Sequence, residues 1–214
     1  MCGRFTLRTA LNILLQEFHA ELRDELQLAP RYNIAPTQDI AVVGPADGKR
    51  ELTMMRWGLI PSWTKDPKKA PLLNNARGET VAEKPSFRSA FKSRRCIIPA
   101  SGFYEWKREG KLKQPYLFRH PDDRPIAFAG LWETWNDIDS CTIITTDANK
   151  LMAQIHDRMP VILARNDYDR WLDPTATDAA SLLVPCPPEE LTSYPVSTIV
   201  NNARNEAPQC VEPM

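Results

Sequence analysis

Apolar residues recur with two different periods along this 214-residue chain. Near the amino terminus they return every three or four positions, which is the spacing of one face of a helix. Those residues are Leu11, Leu14, Leu15, Phe18 and Leu22. The pattern predicts a helix that Thr9 caps, and Pro30 ends that helix or the loop after it, since proline cannot continue a helix.

Further along, apolar residues fall in short runs bounded mainly by glycine, proline or aspartate, as is typical of β-strands. We predict strands over residues 40–43, 52–57, 96–98, 103–106, 116–120, 126–132 and 142–145. Short helices are predicted over 87–92 and over 168–172, the second capped by Asn166 or Asp167. So many short strands indicate a closed or strongly curved sheet.

The predicted fold class is therefore α+β. We expect a single β-rich domain over residues 1–214, with a strongly curved or barrel-like, mainly antiparallel sheet and a few short flanking helices. From about residue 203 the tail is expected to be loose.

The composition is that of an ordinary globular protein, with 43% hydrophobic and 25% charged residues. No apolar run approaches the ~18 residues of a membrane span, and no secretory signal is visible, so we expect an intracellular protein with no membrane partner. The five cysteines are odd in number and form no Cys-x-x-Cys pair, which argues against a disulfide framework and a zinc site. We further expect no metal, no cofactor and a monomer.

The net charge is zero, but the charges are unevenly distributed. Residues 56–113 contain 14 lysines and arginines and 5 acidic residues, a local charge of +9, and the remainder carries −9. Such a segment is either a solvated basic face or a surface that binds phosphates. The second interpretation predicts nucleic-acid binding that is confined to one face and weakened by salt.

Cys2 has the most distinctive chemistry, because it directly follows the initiator methionine. Removal of Met1, which a small second side chain favours, would leave an amine and a thiol on adjacent carbons. The amine condenses with an aldehyde to an imine, and the thiol then closes a five-membered thiazolidine ring. An internal cysteine cannot do this, since its nitrogen is part of an amide. The alternative is that Cys2 is only a small apolar residue near a terminus.

Six short motifs, in family order, resemble those of the SRAP family, the SOS-response-associated peptidase-like proteins. They are MCGR (1–4), RYNIAP (31–36), WGLIPSW (57–63), NARGET (75–80), GFYEW (102–106) and IHDRMP (155–160). Any one of them is weak by itself. Six in register, from residue 2 to about residue 200, identify the chain as a member of the family.

The resemblance implies a DNA-damage-response protein that recognises abasic sites in single-stranded DNA and crosslinks to them through Cys2 in a single turnover. The electrophile would be the ring-opened aldehyde of the abasic deoxyribose. At pH 7 an α-amine is mostly protonated and a thiol only slightly ionised, so neighbouring acid–base groups must assist. Because the imine precedes ring closure, strand incision by β-elimination is a further expected activity, as is self-cleavage that exposes Cys2.

Three more residues complete the predicted catalytic set. In an extended segment Glu105 shares a face with Phe103, and the resemblance assigns it to the Cys2 amine, where it relays protons. His156 becomes the proton donor that opens the sugar ring or assists dehydration, and Asn75 holds the sugar or a neighbouring phosphate. From the residues alone, a surface ion pair, a structural histidine and a turn asparagine remain open as alternatives.

The matched motifs also contain candidate DNA contacts. Arginine forks bind phosphates, tryptophan rings stack on bases, and two further residues would shape the groove. The predicted contacts are Arg4, Asn33, Pro36, Trp63, Arg77, Trp106 and Arg158. Each arginine is open to the alternative of a structural ion pair, and most of the six tryptophans are expected in the core.

Two other classes of function stay open. Cys2 as the nucleophile of an N-terminal cysteine peptidase or amidotransferase would hydrolyse amides without DNA. A non-covalent single-stranded DNA-binding module would bind equally well without the thiol. The expected location is the cytoplasm, associated with the nucleoid, in a bacterium and the nucleus in a eukaryote.

Overall fold

The computed structural model describes residues 2–23, 25–110 and 112–214, so Met1 lies outside the described residues. Within these ranges the helices are α1 (Leu11–Phe18), α2 (Arg88–Ser93) and α3 (Tyr168–Leu172). The strands are β1 (Phe5–Leu7), β2 (Ala20–Leu22), β3 (Arg31–Ile34), β4 (Asp39–Ala46), β5 (Lys49–Trp57), β6 (Asn75–Arg77), β7 (Arg95–Ala100), β8 (Gly102–Glu109), β9 (Leu112–Arg119), β10 (Ile126–Trp135), β11 (Ile138–Asp147), β12 (Arg158–Pro160) and β13 (Thr192–Pro195).

Five of the strands close into a barrel. They follow the order β11, β10, β7, β4 and β5, with antiparallel neighbours. The ring closes where β5 pairs in parallel with β11, Arg56 opposite Ser140 and Trp57 opposite Cys141. β2, β6 and β12 extend this sheet at its margins.

A second sheet, in the order β13, β9, β8, β1 and β3, packs against the barrel through aromatic rings. The Phe5 ring lies 5.1 Å from that of Trp57, and the Phe103 ring lies 5.8 Å from that of Phe128. A smaller apolar cluster joins this sheet to the end of the chain. It contains Tyr104, Leu117, Val196, Val200 and Cys210. The central strand β8 is therefore buried between the main core and the carboxyl-terminal residues.

The predicted fold class is confirmed, and every predicted strand lies within or overlaps one of the observed strands. The prediction for the first helix was wrong at both ends. The cap position is Ala10, because the Thr9 hydroxyl instead lies 2.9 Å from that of Ser101. The helix ends at Phe18, since His19 adopts a left-handed conformation with a φ of 48° and the next three residues pair with β5.

The chain after residue 203, which we expected to be loose, packs against the second sheet. Glu206 accepts hydrogen bonds from the backbone of β3, Cys210 is buried, and Pro213 forms a bridge with Val196. No helix within the described ranges has the length and apolar character needed to cross a membrane.

Candidate functional site at the amino terminus

Cys2 precedes β1 and is fully buried. Its carbonyl accepts a 2.7 Å hydrogen bond from Asn75 Nδ2, which ties the chain start to β6. Burial raises the pKa of the Cys2 thiol well above its ordinary value, and the nearby Glu105 carboxylate raises it further. The thiol is therefore protonated at neutral pH, and Asn75 positions the residue that carries it.

Glu105 lies on β8, where strand alternation turns it to the same side as the buried Phe103. Only 3% of Glu105 is exposed, and this burial raises the pKa of its carboxyl to about 7. A carboxyl with such a pKa exchanges protons readily near neutral pH. It is thus suited to take a proton from an ammonium and return it later.

His156 lies just before β12 and is half-buried. Its Nδ1 accepts a 3.0 Å hydrogen bond from the Arg158 backbone and lies 2.9 Å from a carboxylate oxygen of Asp157. Burial lowers the pKa of His156, so the neutral form dominates at pH 7. In that form Nδ1 is the acceptor and Nε2 carries the proton, which makes Nε2–H the donor to any substrate.

A cavity of about 440 Å³ brings several of these groups together. It is lined by Glu105, Trp106, Arg108, Lys113, His156 and Asn201. Three of these, Glu105, Trp106 and His156, were predicted from sequence. Arg108, Lys113 and Asn201 were not, since no motif contains them.

Asn75 and Arg77 belong to the three-residue strand β6, which runs parallel to β11. Two residues apart on a strand, they point to the same side of the sheet. The Asn75 Oδ1 is buried and has no hydrogen-bond partner among the described residues. Arg77 is exposed and forms no ion pair with a described residue. Arg77 is therefore available to an incoming ligand on the face to which Asn75 also points.

Arg4, in contrast, is held within the protein. Its Nη1 donates to Asn33 Oδ1 and to the carbonyl of Val200, each at 2.7 Å. The guanidinium also lies 5.9 Å from the centre of the Trp106 ring, and the Trp106 indole donates to Asn201 Oδ1 at 2.6 Å. Arg4 thus fastens the start of the chain to the segment around residue 200.

Asn33 has a similar internal role, since it is fully buried. Its amide donates to three carbonyls in the carboxyl-terminal segment, those of Val200, Asn202 and Asn205. Pro36 is half-buried in the turn that follows β3. Asn33 thus ties β3 to the carboxyl-terminal segment.

Arg158 is neutralised by two acids. Its Nη1 donates to Glu79 at 2.5 Å and to Asp147 at 2.8 Å. The Glu79 hydrogen bond and charge raise the pKa of this guanidinium. A phosphate would have to compete with both carboxylates, so Arg158 is less available than Arg77.

Trp63 lies in the loop after β5 and is 56% exposed. The Trp135 indole donates to the Thr64 carbonyl at 2.6 Å and so anchors this loop. All five cysteines are buried and free, and the described residues contain no cluster of three side chains suited to hold a metal.

Fold and site together define a class of protein: a β-rich domain whose candidate site surrounds a cysteine at position 2. The family model described as SOS response associated peptidase (SRAP) matches residues 1–203. The chain therefore belongs to the SRAP family, and the resemblance drawn from the six motifs is confirmed.

Related proteins are similar in sequence to this chain over most of its length. The abasic site processing protein YoqW of Bacillus subtilis is 44% identical over 222 residues, covering 99% of each chain. The abasic site processing protein HMCES of Xenopus tropicalis is 38% identical over 88% of this chain and 67% of its own. A crystal structure of a Bacteroides thetaiotaomicron protein has a TM-score of 0.88, with 27% identity and complete coverage of both chains.

Proposed function

We propose that this protein traps abasic sites in single-stranded DNA by forming a thiazolidine with Cys2 once Met1 has been removed. The observation that carries the proposal is a second-position cysteine whose buried thiol lies within the electrostatic influence of a carboxyl with a pKa of about 7. The names of the relatives, abasic site processing proteins, support the substrate. The protein would act on DNA in the nucleoid or the nucleus, as a monomer.

The first step is imine formation. Ionised Glu105 accepts a proton from the Cys2 ammonium, and the neutral amine attacks C1′ of the open sugar to give a carbinolamine. The protonated form of His156, a minor species at pH 7, donates the proton with which the hydroxyl departs as water, and the ring takes a proton back from the carbinolamine nitrogen to leave a neutral imine. Asn75, whose Oδ1 is buried without a described partner, accepts a hydrogen bond from a sugar hydroxyl.

The second step is ring closure. The thiol sulfur adds to the imine carbon, and its proton is transferred through Glu105 to the imine nitrogen. One water is released overall, and no oxidant or reductant is needed. A protonated thiol suits the order of imine formation before ring closure, because it is a weak nucleophile and adds only once the imine carbon is available. The imine is also the point from which β-elimination would incise the strand.

The DNA strand would contact the exposed groups, with Arg77 on a phosphate and Trp63 and Trp106 against bases. Arg4, Asn33 and Pro36 would support this surface, and Arg158 would hold β12 and His156 in place.

The test uses purified protein, shown by intact mass to lack Met1, and single-stranded DNA with one abasic site. We expect an adduct that survives a denaturing gel. Cys2→Ala should give none, although borohydride should still trap its imine, and Glu105→Gln should bind DNA but crosslink slowly.

A wild-type protein that forms no denaturant-resistant adduct would refute the proposal. Hydrolysis of amide substrates without DNA would instead favour the peptidase that the family description names. Equal, purely reversible binding by wild type and Cys2→Ala would favour a non-covalent binding module.

A further inference from the structure

The far end of the β8–β9 hairpin carries two cations face to face. Arg108 of β8 lies directly opposite Lys113 of β9 in the antiparallel register. Both are exposed, and neither forms an ion pair with a described residue. Like charges directly opposite each other destabilise a β-ladder. The pair therefore lowers the stability of the hairpin until an anion binds.

The two cations line the cavity that contains Glu105 and His156. Arg108 and Trp106 are two residues apart on β8, so their side chains share one face of the hairpin. Arg108 and Lys113 line the same cavity of about 440 Å³ as Glu105 and His156. Burial is the largest cause of the lowered pKa of His156, and the positive charge of Arg108 lowers it further. The cation pair is thus next to the groups that act on the sugar.

The charge balance distinguishes this pair from Arg158 and Arg31. Glu79 and Asp147 neutralise Arg158, and Glu206 pairs with Arg31 at 2.9 Å. Among the described residues that line the cavity, Glu105 is the only acid, and it is buried. Cations without an ion-pair partner among the described residues, beside an aromatic ring, form an arrangement that binds a single-stranded nucleotide, with the base on the ring and the phosphate on the cations.

We propose that Arg108 and Lys113 bind the backbone phosphate of a nucleotide adjacent to the abasic sugar, with that nucleotide's base against Trp106. One flank of the damaged strand then runs along the β8–β9 hairpin. This inference rests on the proposed function and specifies its substrate further: the abasic site must be internal, with at least one nucleotide continuing on the hairpin side.

The test compares wild type with the double variant Arg108→Gln/Lys113→Gln. Binding is measured with oligonucleotides containing tetrahydrofuran, an abasic analogue without an aldehyde, placed centrally, at the 5′ end or at the 3′ end. For the central site we expect about a tenfold loss of affinity, and the slope of log affinity against log salt concentration should fall by about 0.7, the value for one phosphate contact on a single strand. One of the two terminal substrates has no nucleotide on the hairpin side of the abasic site. The variant and the wild type should bind that substrate with equal affinity.

The matched control, Arg23→Gln/Lys92→Gln, removes the same two charges from exposed positions that do not line this cavity. It should bind every substrate like wild type. The hairpin variant should melt at the same temperature as wild type or higher, because the repulsion is relieved.

Unchanged affinity for the central site would overturn the inference, as would an equal loss on both terminal substrates. Because the analogue cannot crosslink, this result is independent of the Cys2 chemistry. A wild type that binds but forms no adduct with a true abasic site would count against the proposed function alone.

Discussion

Glu105 is the residue whose properties depend most on its surroundings. A glutamate on an exposed strand would be ionised at pH 7, but β8 buries this one near Cys2, with 3% exposure. Burial disfavours the ionised form of the carboxyl, and the pKa of Glu105 is therefore raised to about 7. The same burial that would suit Glu105 to the proposed proton transfer also lowers the stability of the fold above neutral pH.

This predicts a pH-dependent stability for Glu105→Gln. The folded pKa is raised above the unfolded value, so the stability of the wild type is complete below about pH 4.5 and falls as pH rises through 7. Glutamine has no such penalty. We expect the variant to match wild type near pH 4 and to exceed it by on the order of 3 kcal/mol at pH 8, measured by denaturant unfolding.

Glu79→Gln is the control, because its stability should change with pH in the opposite direction. The Arg158 hydrogen bond lowers the pKa of Glu79, so this carboxylate stabilises the fold above its unfolded pKa and loses that effect as pH falls. The Gln variant should be destabilised at pH 7 and match wild type at low pH. If Glu105→Gln showed the same trend as Glu79→Gln, burial would not be the cause of the Glu105 shift.

Residue roles could be predicted only in part. The chemistry proposed for Cys2 follows from its position, and the placement of Glu105 beside Phe103 follows from strand alternation. For Arg4 and Arg158, in contrast, the sequence left open whether they bind phosphate or form internal contacts. Their partners Val200 and Glu79 are 196 and 79 residues away in the chain, so no local pattern could indicate them.

At the scale of elements, the carboxyl-terminal segment clamps β3. Glu206 accepts hydrogen bonds from the backbone N–H groups of Tyr32 and Asn33, and it pairs with Arg31. This contact lies beside the Asn33 and Arg4 network that holds the start of the chain. The segment therefore holds β3 and, through Asn33 and Arg4, the start of the chain.

We expect Glu206→Ala to lower the free energy of unfolding by about 2 kcal/mol, the usual effect of losing hydrogen bonds to a charged group. Amide hydrogen exchange at Tyr32 and Asn33 should become faster. Glu212→Ala, at an exposed position of the same tail, is the control and should change neither. Unaltered exchange at both amides in Glu206→Ala would show that the clamp does not hold β3.

The β8–β9 hairpin shows why some elements escape sequence analysis. Strands were predicted over 103–106 and 116–120, but the observed pair continues to Glu109 and resumes at Leu112 around Gly110, which has a φ of 64°. The extension is polar and held by backbone pairing, so it has no apolar alternation. For that reason the sequence did not indicate that Arg108 and Lys113 are paired across the two strands. β1 and β6, with three residues each, are likewise too short for a periodic signal.

The whole molecule depends on the contact between the barrel and the second sheet. Phe128 of β10 is fully buried there, with its ring 6.0 Å from Phe5 and 5.8 Å from Phe103. One aromatic cluster thus joins the barrel to the two strands, β1 and β8, that carry the site. The two sheets should therefore unfold together.

Phe128→Ala should lower the free energy of unfolding by about 3–5 kcal/mol, because it leaves a cavity where both sheets meet. Calorimetry should still show a single transition. Leu112→Ala, at a position that is 72% exposed, is the control and should change stability by less than about 0.5 kcal/mol. Two separate transitions in the Phe128 variant would show that barrel and sheet are independent units.

The sequence by itself determined the β-rich fold class, the family and the cysteine for which we propose the reaction, because these depend on local periodicity and on contiguous motifs. Only the tertiary structure decided which groups are buried, which charges are neutralised and which cations remain available. Asn75 reaches Cys2 across 73 residues, and the pKa of Glu105 reflects the layers packed around it. Burial and charge pairing arise from residues brought together by folding, so they are properties of the folded chain and not of any segment.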